Sequence, residues 1–123
     1  MTNPFTDQER FMTASDQTTA GYNKDQYNLY ISLIEEEVGE LADAIKDHDN
    51  VEQLDALIDI LVVTIGAIHS FGADGEGAWK EVMDTNFAKI DPVTGKVTKR
   101  EDGKILKPSD WKGPELNQYL EKK

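Results

Sequence analysis

Five acidic side chains recur at helical spacing in two neighbouring stretches of this sequence: Glu36, Glu37, Glu40, Asp55 and Asp59. Residues four apart on a helix project about 40° from each other, so Glu36 and Glu40 share one face and the two aspartates share another. The second stretch is otherwise apolar, and residues 47–79 contain no Lys or Arg. Because carboxylates within an apolar helix need a partner, a divalent cation is the natural candidate.

The two stretches are joined by a short polar break, which predicts an antiparallel pair of helices. The break at residues 48–50 places Glu40 and Asp59 at nearly the same height. At about 1.5 Å per residue, Glu37 and Asp55 then lie roughly one turn to either side of that level. Like charges gathered in this way repel each other strongly unless a cation neutralises them.

The donor atoms indicate which ion such a cluster would bind. All the candidate ligands are oxygens, and the sequence contains no cysteine. Oxygen ligands favour the hard ions Mg²⁺ and Mn²⁺. A di-iron bundle needs Glu-x-x-His pairs, and neither His48 nor His69 has a glutamate three residues before it. The di-iron interpretation is therefore excluded.

The five acids are not expected to play equal roles. The predicted metal ligands are Glu37, Glu40 and Asp59. Glu36 and Asp55 are predicted either to bind a further metal ion or to act as a base for water. We interpret the neighbouring Glu35 and Asp43 as part of a solvated helix face, which is also the alternative interpretation for the whole acidic run.

The elements that carry these acids follow from apolar periodicity and capping residues. The pattern predicts four helices, from Thr6 to about Ala14, Asn23 to about Asp47, Asn50 to about Ser70, and Asp74 to about Asn86 or Ala88. Gly72 is placed to end the third helix. Residues Leu54–Ile68 of that helix are almost wholly apolar, so other helices or a second subunit must cover them. The predicted fold is all-α, an oligomeric bundle of four to five helices.

After Asp91-Pro92 the sequence changes to a basic segment with a different pattern. Asp102-Gly103 lies between two short alternating runs, which is typical of a two-residue hairpin turn. We expect a small basic β-hairpin, roughly Lys96–Lys107, followed by an extended tail. Residues 1–123 are thus predicted to form one domain, with the acid-bearing helices in 24–90 and the hairpin and tail in 91–123.

The net charge of −11 is distributed unevenly along the chain. Residues 1–85 hold 4 basic and 18 acidic side chains, a balance of −14, whereas residues 86–112 hold 7 basic and 4 acidic ones, a balance of +3. An acidic body with a basic arm suits a metal-bound polyphosphate better than a nucleic-acid duplex. The N-terminus lacks a signal-peptide pattern, and the longest apolar run, Ile60–Ile68, is too short to span a bilayer. We expect a cytoplasmic protein that binds neither nucleic acid nor membrane.

The acidic motif and three C-terminal motifs resemble those of one known family. The motifs are E-E-x-x-E at Glu36, Glu37 and Glu40, N-F-A-K-I from Asn86, R-E-D-G-K-I-L-K-P from Arg100 and G-P-E-L from Gly113. Over residues 24–116 the pattern is similar to the MazG-type all-α nucleoside triphosphate pyrophosphohydrolases of bacteria and phages. One position departs from the family's E-x-x-D on the third helix, because Ala56 stands where an acid is usual. Asp55 precedes Asp59 by four residues instead of three, and both spacings return to the same helix face.

The resemblance implies cleavage between the α- and β-phosphates of a (d)NTP, giving a monophosphate and pyrophosphate. It implies Mg²⁺ or Mn²⁺ as cofactor, with Glu36 or Glu37 as the catalytic group that orients or deprotonates the attacking water. The sequence has no Gly-rich phosphate-binding loop, so basic side chains must help to hold the phosphates. The implied substrate-binding residues are Asn86, Lys89, Arg100, Lys104 and Lys107. Some phage members of the family act on dGTP, so the resemblance favours a purine deoxynucleotide.

Other interpretations stay open at this point. Within the enzyme class, the activity could be that of a dUTP/dCTP-type or a phosphoribosyl-ATP pyrophosphohydrolase. A non-catalytic helical oligomerisation module would leave Asp55 and Asp59 exposed or paired across subunits, without metal. A metal-binding regulator would bind Mn²⁺ and leave nucleotides intact. The combination of a basic arm with an acidic cluster favours the enzyme, with a nucleoside triphosphate as substrate. The apolar third helix favours a homodimer or homotetramer as the assembly.

Overall fold

Four α-helices make up most of the chain. The computed structural model describes residues 3–122. The helices are α1 (Pro4–Ala14), α2 (Lys24–Lys46), α3 (Asn50–Phe71) and α4 (Gly75–Phe87), and a short 3₁₀ turn follows at Asn117–Tyr119. No β-strand forms within residues 3–122, so the all-α prediction is confirmed. The chain divides into two compact units, one of residues up to 75 together with those from 119 onward, the other of residues 76–118.

α2 and α3 form an antiparallel pair joined by a three-residue connection. At one end, Gln26 Nε2 donates a hydrogen bond to Ser70 Oγ at 2.8 Å. At the other end, Gln53 Nε2 donates to the Ala44 carbonyl oxygen at 3.5 Å. The connection turns sharply because His48 adopts the left-handed conformation, with φ of 55°. The predicted acids therefore lie on two neighbouring helices that run in opposite directions.

Two of the predicted helix ends are confirmed. Asn23 caps α2, and its side-chain oxygen accepts a hydrogen bond from the Gln26 N–H at 3.2 Å. Gly72 ends α3 in the left-handed region, with φ of 83°. A Cβ atom at this position would also lie 2.7 Å from the backbone of Gly21. Only glycine fits here without strain.

Two other predicted caps are wrong. α3 is capped by Asp49, whose side chain accepts from the Glu52 N–H, and Asn50 is already the first helical residue. α1 is capped by Asn3, while Thr6 completes a capping box from inside the helix. The helix can begin this early because proline is well suited to the first helical position, where its missing N–H breaks no hydrogen bond.

The core of the first unit forms where α1, α2 and α3 meet. Met12 of α1, Tyr30 of α2 and Ala67 of α3 are buried against each other. The Tyr30 hydroxyl donates a hydrogen bond to Gln17 Oε1 at 2.6 Å. Its ring lies against Gly66, where an added Cβ atom would be 2.3 Å from a ring carbon. One aromatic side chain thus contacts all three helices and the connection between the first two.

The outer face of α3 is apolar and exposed. Its side chains repeat at positions i, i+3, i+4 and i+7, as Leu54, Leu57, Ile58 and Leu61. Leu54 is 62% exposed and Leu61 is 57% exposed. In α2, Val38 and Ile45 of the predicted apolar stripe are about half exposed as well. The prediction that α3 is buried on most sides is therefore not met within a single chain.

α3 also bears on the question of a membrane segment. Among the helices of residues 3–122, it alone is long and apolar enough to cross a bilayer by length and composition. The core helix of a soluble protein passes the same test, so this property is weak evidence for a membrane protein. The helix also carries Asp55 and Asp59, and acidic side chains are costly within lipid.

Residues 76–118 contain a tight turn where the sequence predicts a hairpin. Lys99 and Ile105 form one isolated antiparallel bridge, and Gly103 holds the turn with φ of 91°. The Arg100 N–H donates to the Lys104 carbonyl oxygen at 2.7 Å. In the part of the chain that the structure describes, no strand extends from this bridge. The predicted Asp-Gly turn is present, but the hairpin is reduced to a single bridge.

Candidate active site

The position of Glu37 on α2 directs its side chain toward α3. Glu37 lies seven residues, about two helical turns, from each of the two buried residues of α2, Tyr30 and Ala44. It therefore shares their face, and its side chain is half-buried between the helices. Its Oε2 atom is buried and has no hydrogen-bond partner among the described residues. A buried carboxylate oxygen without a partner is unfavourable in a folded protein and is typical of a site that binds a ligand.

Three further acids of the predicted cluster act on Glu37. Burial is the largest cause that raises the pKa of Glu37 above its ordinary value. The nearby carboxyl group of Glu40 and its negative charge raise this pKa further, followed by the charges of Asp59 and Asp55. The structure thus brings together four of the five predicted acids, from both helices, around one half-buried carboxyl group.

Glu36 is the fifth predicted acid, and it lies apart from this group. Its side chain is exposed, and it is not among the groups that raise the pKa of Glu37. Consecutive helical residues project about 100° apart, so Glu36 and Glu37 cannot both face α3. Glu36 remains adjacent to the cluster along the chain, on its solvent side.

Asp55 and Ala56 lie where the sequence departs from the E-x-x-D motif of the family that it resembles. Ala56 is 3% exposed and occupies the face of α3 that packs against α2. Asp55 is exposed beside it, and its charge still contributes to the raised pKa of Glu37. Asp55 therefore lies at the rim of the interface between the two helices, where solvent lowers the cost of its charge.

The acids of the cluster have the chemistry of a divalent-cation site. Across residues 3–122, no three Asp, Glu or His side chains are arranged so that they could hold an ion together as they stand. The donor set nevertheless fits a hard cation, because it consists of carboxylate oxygens and one of them, Glu37 Oε2, is buried without a partner. Glu37, Glu40 and Asp59 are the residues that would hold it, with Asp55 at the rim.

A second group of predicted residues is gathered around Trp111. Lys89 Nζ donates a hydrogen bond to Asn86 Oδ1 at 3.1 Å and lies 5.0 Å from the centre of the Trp111 ring system. Lys107 Nζ lies 4.8 Å from the same centre. Trp111 was not among the predicted site residues, although its place in a basic segment, K-P-S-D-W-K, is a signal for contacts of this kind.

Arg100 and Lys104, the other two predicted substrate-binding residues, have different surroundings. The Arg100 guanidinium is paired with Asp102, and its Nε atom donates to Asp102 Oδ1 at 2.9 Å. This guanidinium holds the pKa of Asp102 below its ordinary value. Lys104 is exposed, and its backbone N–H donates to the same carboxylate at 3.1 Å. Arg100 is thus engaged within the turn, whereas the ammonium group of Lys104 extends from it.

The all-α chain, with acids on both helices of an antiparallel pair, has the features of the MazG-like nucleoside triphosphate pyrophosphohydrolases that its sequence resembles. The sequence model of one family in this class, phosphoribosyl-ATP pyrophosphohydrolase, matches residues 7–86, about two thirds of the chain. The chain belongs to this family. No curated protein matches it at a significant level.

The matched region supports a general activity. It contains all five predicted acids and Asn86, and it ends before Lys89 and the basic turn. Pyrophosphohydrolase activity on nucleotides is therefore the general reaction of this chain, and MazG-like pyrophosphohydrolases generally use divalent metal ions.

Proposed function

We propose that this protein hydrolyses (deoxy)nucleoside triphosphates between the α- and β-phosphates, with Mg²⁺ or Mn²⁺, releasing a monophosphate and pyrophosphate. The observation that carries the proposal is the buried, unpartnered Oε2 atom of Glu37 within a group of four acids. Like charges held together at one place favour binding of a cation, and a bound cation favours binding of phosphates.

The acids have different roles in the proposed reaction. Glu37, Glu40 and Asp59 would hold the divalent ion, and Asp55 would add its negative charge at the rim. The ion, when bound, stabilises the negative charge that develops on the phosphate oxygens. Glu36, on the solvent side, or Glu37 itself orients the attacking water and accepts its proton as the bond between the α- and β-phosphates breaks.

We propose the basic residues of the second unit as phosphate-binding residues, from their charge and their surroundings within that unit. Lys89 and Lys107 are the strongest candidates, because they carry positive charge without a carboxylate partner among the described residues. Asn86, which accepts a hydrogen bond from Lys89, can turn its amide group to a phosphate or sugar oxygen. Lys104 is free to reach a phosphate. Arg100 is a weaker candidate because its guanidinium is paired with Asp102.

The preferred nucleotide is proposed from resemblance. The likeness to phage MazG-type enzymes favours a purine deoxynucleotide such as dGTP. The matched family favours a second candidate, phosphoribosyl-ATP, which undergoes the same cleavage of a phosphoanhydride bond. The two substrates place different groups next to the same triphosphate, so a direct comparison of kcat/KM separates them.

A nucleotide panel tests the proposal. The purified full chain is incubated with dGTP, dATP, dCTP, dUTP, the ribonucleotides and phosphoribosyl-ATP, with Mg²⁺, Mn²⁺ or EDTA, and the products are separated. We expect a nucleoside monophosphate and pyrophosphate in the presence of metal. Release of orthophosphate instead would assign the enzyme to a different reaction class.

Variants connect that activity to the acid cluster. Glu40→Ala and Asp59→Ala should abolish turnover while the helical circular-dichroism spectrum is retained. Glu35→Ala and Asp43→Ala are matched controls, because both residues are exposed acids of the same helix. Activity retained in the first pair would contradict the site. Lys104→Ala should raise KM for the triphosphate more than it lowers stability.

We further propose a homodimer or homotetramer located in the cytoplasm. The exposed apolar face of α3 supports self-association, since contiguous apolar surface of this kind is a common interface. The net negative charge of the helices would repel nucleic acid, so we propose no nucleic-acid partner.

A further inference from the structure

We infer that Trp111 assembles Lys89 and Lys107 into a binding site for a polyphosphate chain. The site lies wholly within residues 76–118, and it includes no residue of the acid cluster. Its part in turnover rests on the proposed function, but its capacity to bind an anion does not.

The indole ring is fixed by a hydrogen bond at its edge. Trp111 Nε1 donates to the Thr85 carbonyl oxygen near the end of α4, at 2.6 Å. A second bond, from the Glu115 N–H to Glu81 Oε2 at 3.2 Å, ties the following segment to the same helix. Residues 91–110 are otherwise irregular, so these bonds set the position of the ring.

The ring holds two ammonium groups close to each other. Both lie within 5.0 Å of its centre, so the two charges are no more than about 10 Å apart, the sum of the two distances. Tryptophan attracts cations through the negative potential of its ring face, more strongly than Tyr or Phe does. The aromatic ring therefore offsets part of the repulsion between two like charges, and it does so without neutralising either of them.

Neither lysine is neutralised by an acidic side chain in the described part of the chain. The ion pairs found there use Lys80, Arg100 and Lys122, and not Lys89 or Lys107. The neutral oxygen of Asn86 accepts one hydrogen bond from Lys89, which orients that ammonium group and leaves its charge intact. Two uncompensated positive charges within about 10 Å of each other are complementary to a chain of linked phosphates.

The occupant favoured by these observations is a di- or triphosphate chain, either free or as part of a nucleotide. A single polyphosphate can bridge two ammonium groups at this separation, while a nucleic-acid duplex brings many more charges to a protein whose first 85 residues carry a balance of −14. Binding of duplex DNA in preference to tripolyphosphate would therefore overturn the proposal.

Fluorescence of Trp111 provides the test. The sequence has two tryptophans, and Trp79 is 61% exposed, so the Trp79→Phe full chain retains Trp111 as its single reporter. Inorganic tripolyphosphate is titrated into this protein in EDTA, so that no metal contributes. We expect a saturable change in fluorescence that weakens as salt is added.

Charge-removing variants identify the residues. Lys107→Gln and Lys89→Gln should each raise the Kd for tripolyphosphate at least about tenfold, equivalent to about 1.4 kcal/mol. Lys96→Gln is the matched control, because it removes an exposed lysine from the same basic segment. A Kd that is unchanged in Lys107→Gln, or raised equally by all three variants, would overturn the proposal. Lys107 is exposed, so its replacement leaves the fold intact.

Turnover measurements separate this inference from the proposed function. In an active enzyme, Trp111→Leu and Lys107→Gln should raise KM for the triphosphate and weaken inhibition by pyrophosphate, with kcat little changed. Trp111→Phe, which retains a ring, should be intermediate. If wild type turns over nucleotide and these KM values do not move, this inference fails alone. If wild type binds tripolyphosphate at Trp111 but hydrolyses no nucleotide, the proposed function fails alone.

Discussion

At the scale of single residues, Glu37 combines two properties that are unfavourable together without a bound cation. One of its oxygens is buried without a partner, and three other carboxylates lie close enough to raise its pKa. A charge in this position lowers the stability of the metal-free fold, and the same charge binds a cation that relieves it.

Replacing Glu37 by Gln should therefore stabilise the metal-free protein. Glutamine keeps the shape of the side chain and removes the buried charge, so the thermal midpoint in EDTA should rise above that of wild type. The increase in midpoint that Mn²⁺ gives to wild type should be lost, together with turnover. Differential scanning fluorimetry measures both effects. A metal-free variant less stable than wild type would contradict this account of Glu37.

The raised pKa of Glu37 predicts how the free energy of unfolding depends on pH. Because the pKa of Glu37 is raised in the folded state, its protonation contributes stability that is present below the ordinary glutamate pKa and lost as pH rises through the raised value. Urea unfolding in EDTA from about pH 4 to about pH 8 should show a steeper loss of stability in wild type than in Glu37→Gln. Equal slopes in the two proteins would indicate that Glu37 is solvated.

At the scale of elements, two glycines in the middle of helices make contrasting predictions. A Cβ atom at Gly66 of α3 would lie 2.3 Å from the ring of Tyr30, whereas one at Gly39 of α2 would meet nothing within 4 Å. Gly66→Ala should lower the free energy of unfolding by about 1–3 kcal/mol, because the helices must move apart. Gly39→Ala should raise it by about 0.5–1 kcal/mol, because alanine favours helix. Urea denaturation tests the pair, and a stabilised Gly66→Ala would show that the helices are loosely packed.

The helices themselves could be predicted from the sequence because their signals are local. Apolar periodicity placed all four, and Asn23 and Gly72 marked ends correctly. Where two capping residues stand side by side, as Asp49 and Asn50 do, either can accept the first N–H, so the sequence does not determine which one does. The acids of each helix were predicted for the same reason, since spacing along a helix indicates which side chains share a face.

Contacts made through irregular chain could not be predicted in this way. Lys89 and Trp111 are separated by a segment with no strand or helix, so no periodicity relates their positions. The hairpin prediction was only partly correct, because the turn forms and the flanking strands do not. Its Asp-Gly turn is encoded locally, whereas the strands that should flank it depend on packing that a short polar segment does not supply.

At the scale of the whole molecule, the apolar face of α3 is the main unpaired surface of the first unit. We predict that the wild-type chain is a dimer or tetramer, and that Leu61→Glu produces a monomer, because a charge within an apolar interface is costly to bury. Size-exclusion chromatography with light scattering measures the mass. Val93→Glu is the control, since Val93 is 92% exposed and lies outside the helices. A wild-type monomer at high concentration would show that the face has another role.

The ring of Tyr30 has a consequence for how the first unit comes apart. It packs against Met12 and Gly66, and its hydroxyl binds Gln17. Because the ring contacts Met12 of α1 and also Gly66 of α3, detachment of α1 would expose part of the side chain that packs between α2 and α3. Cleavage of the amino-terminal helix by proteases should therefore be accompanied by loosening of the core around Tyr30, which limited proteolysis followed by tyrosine fluorescence would detect.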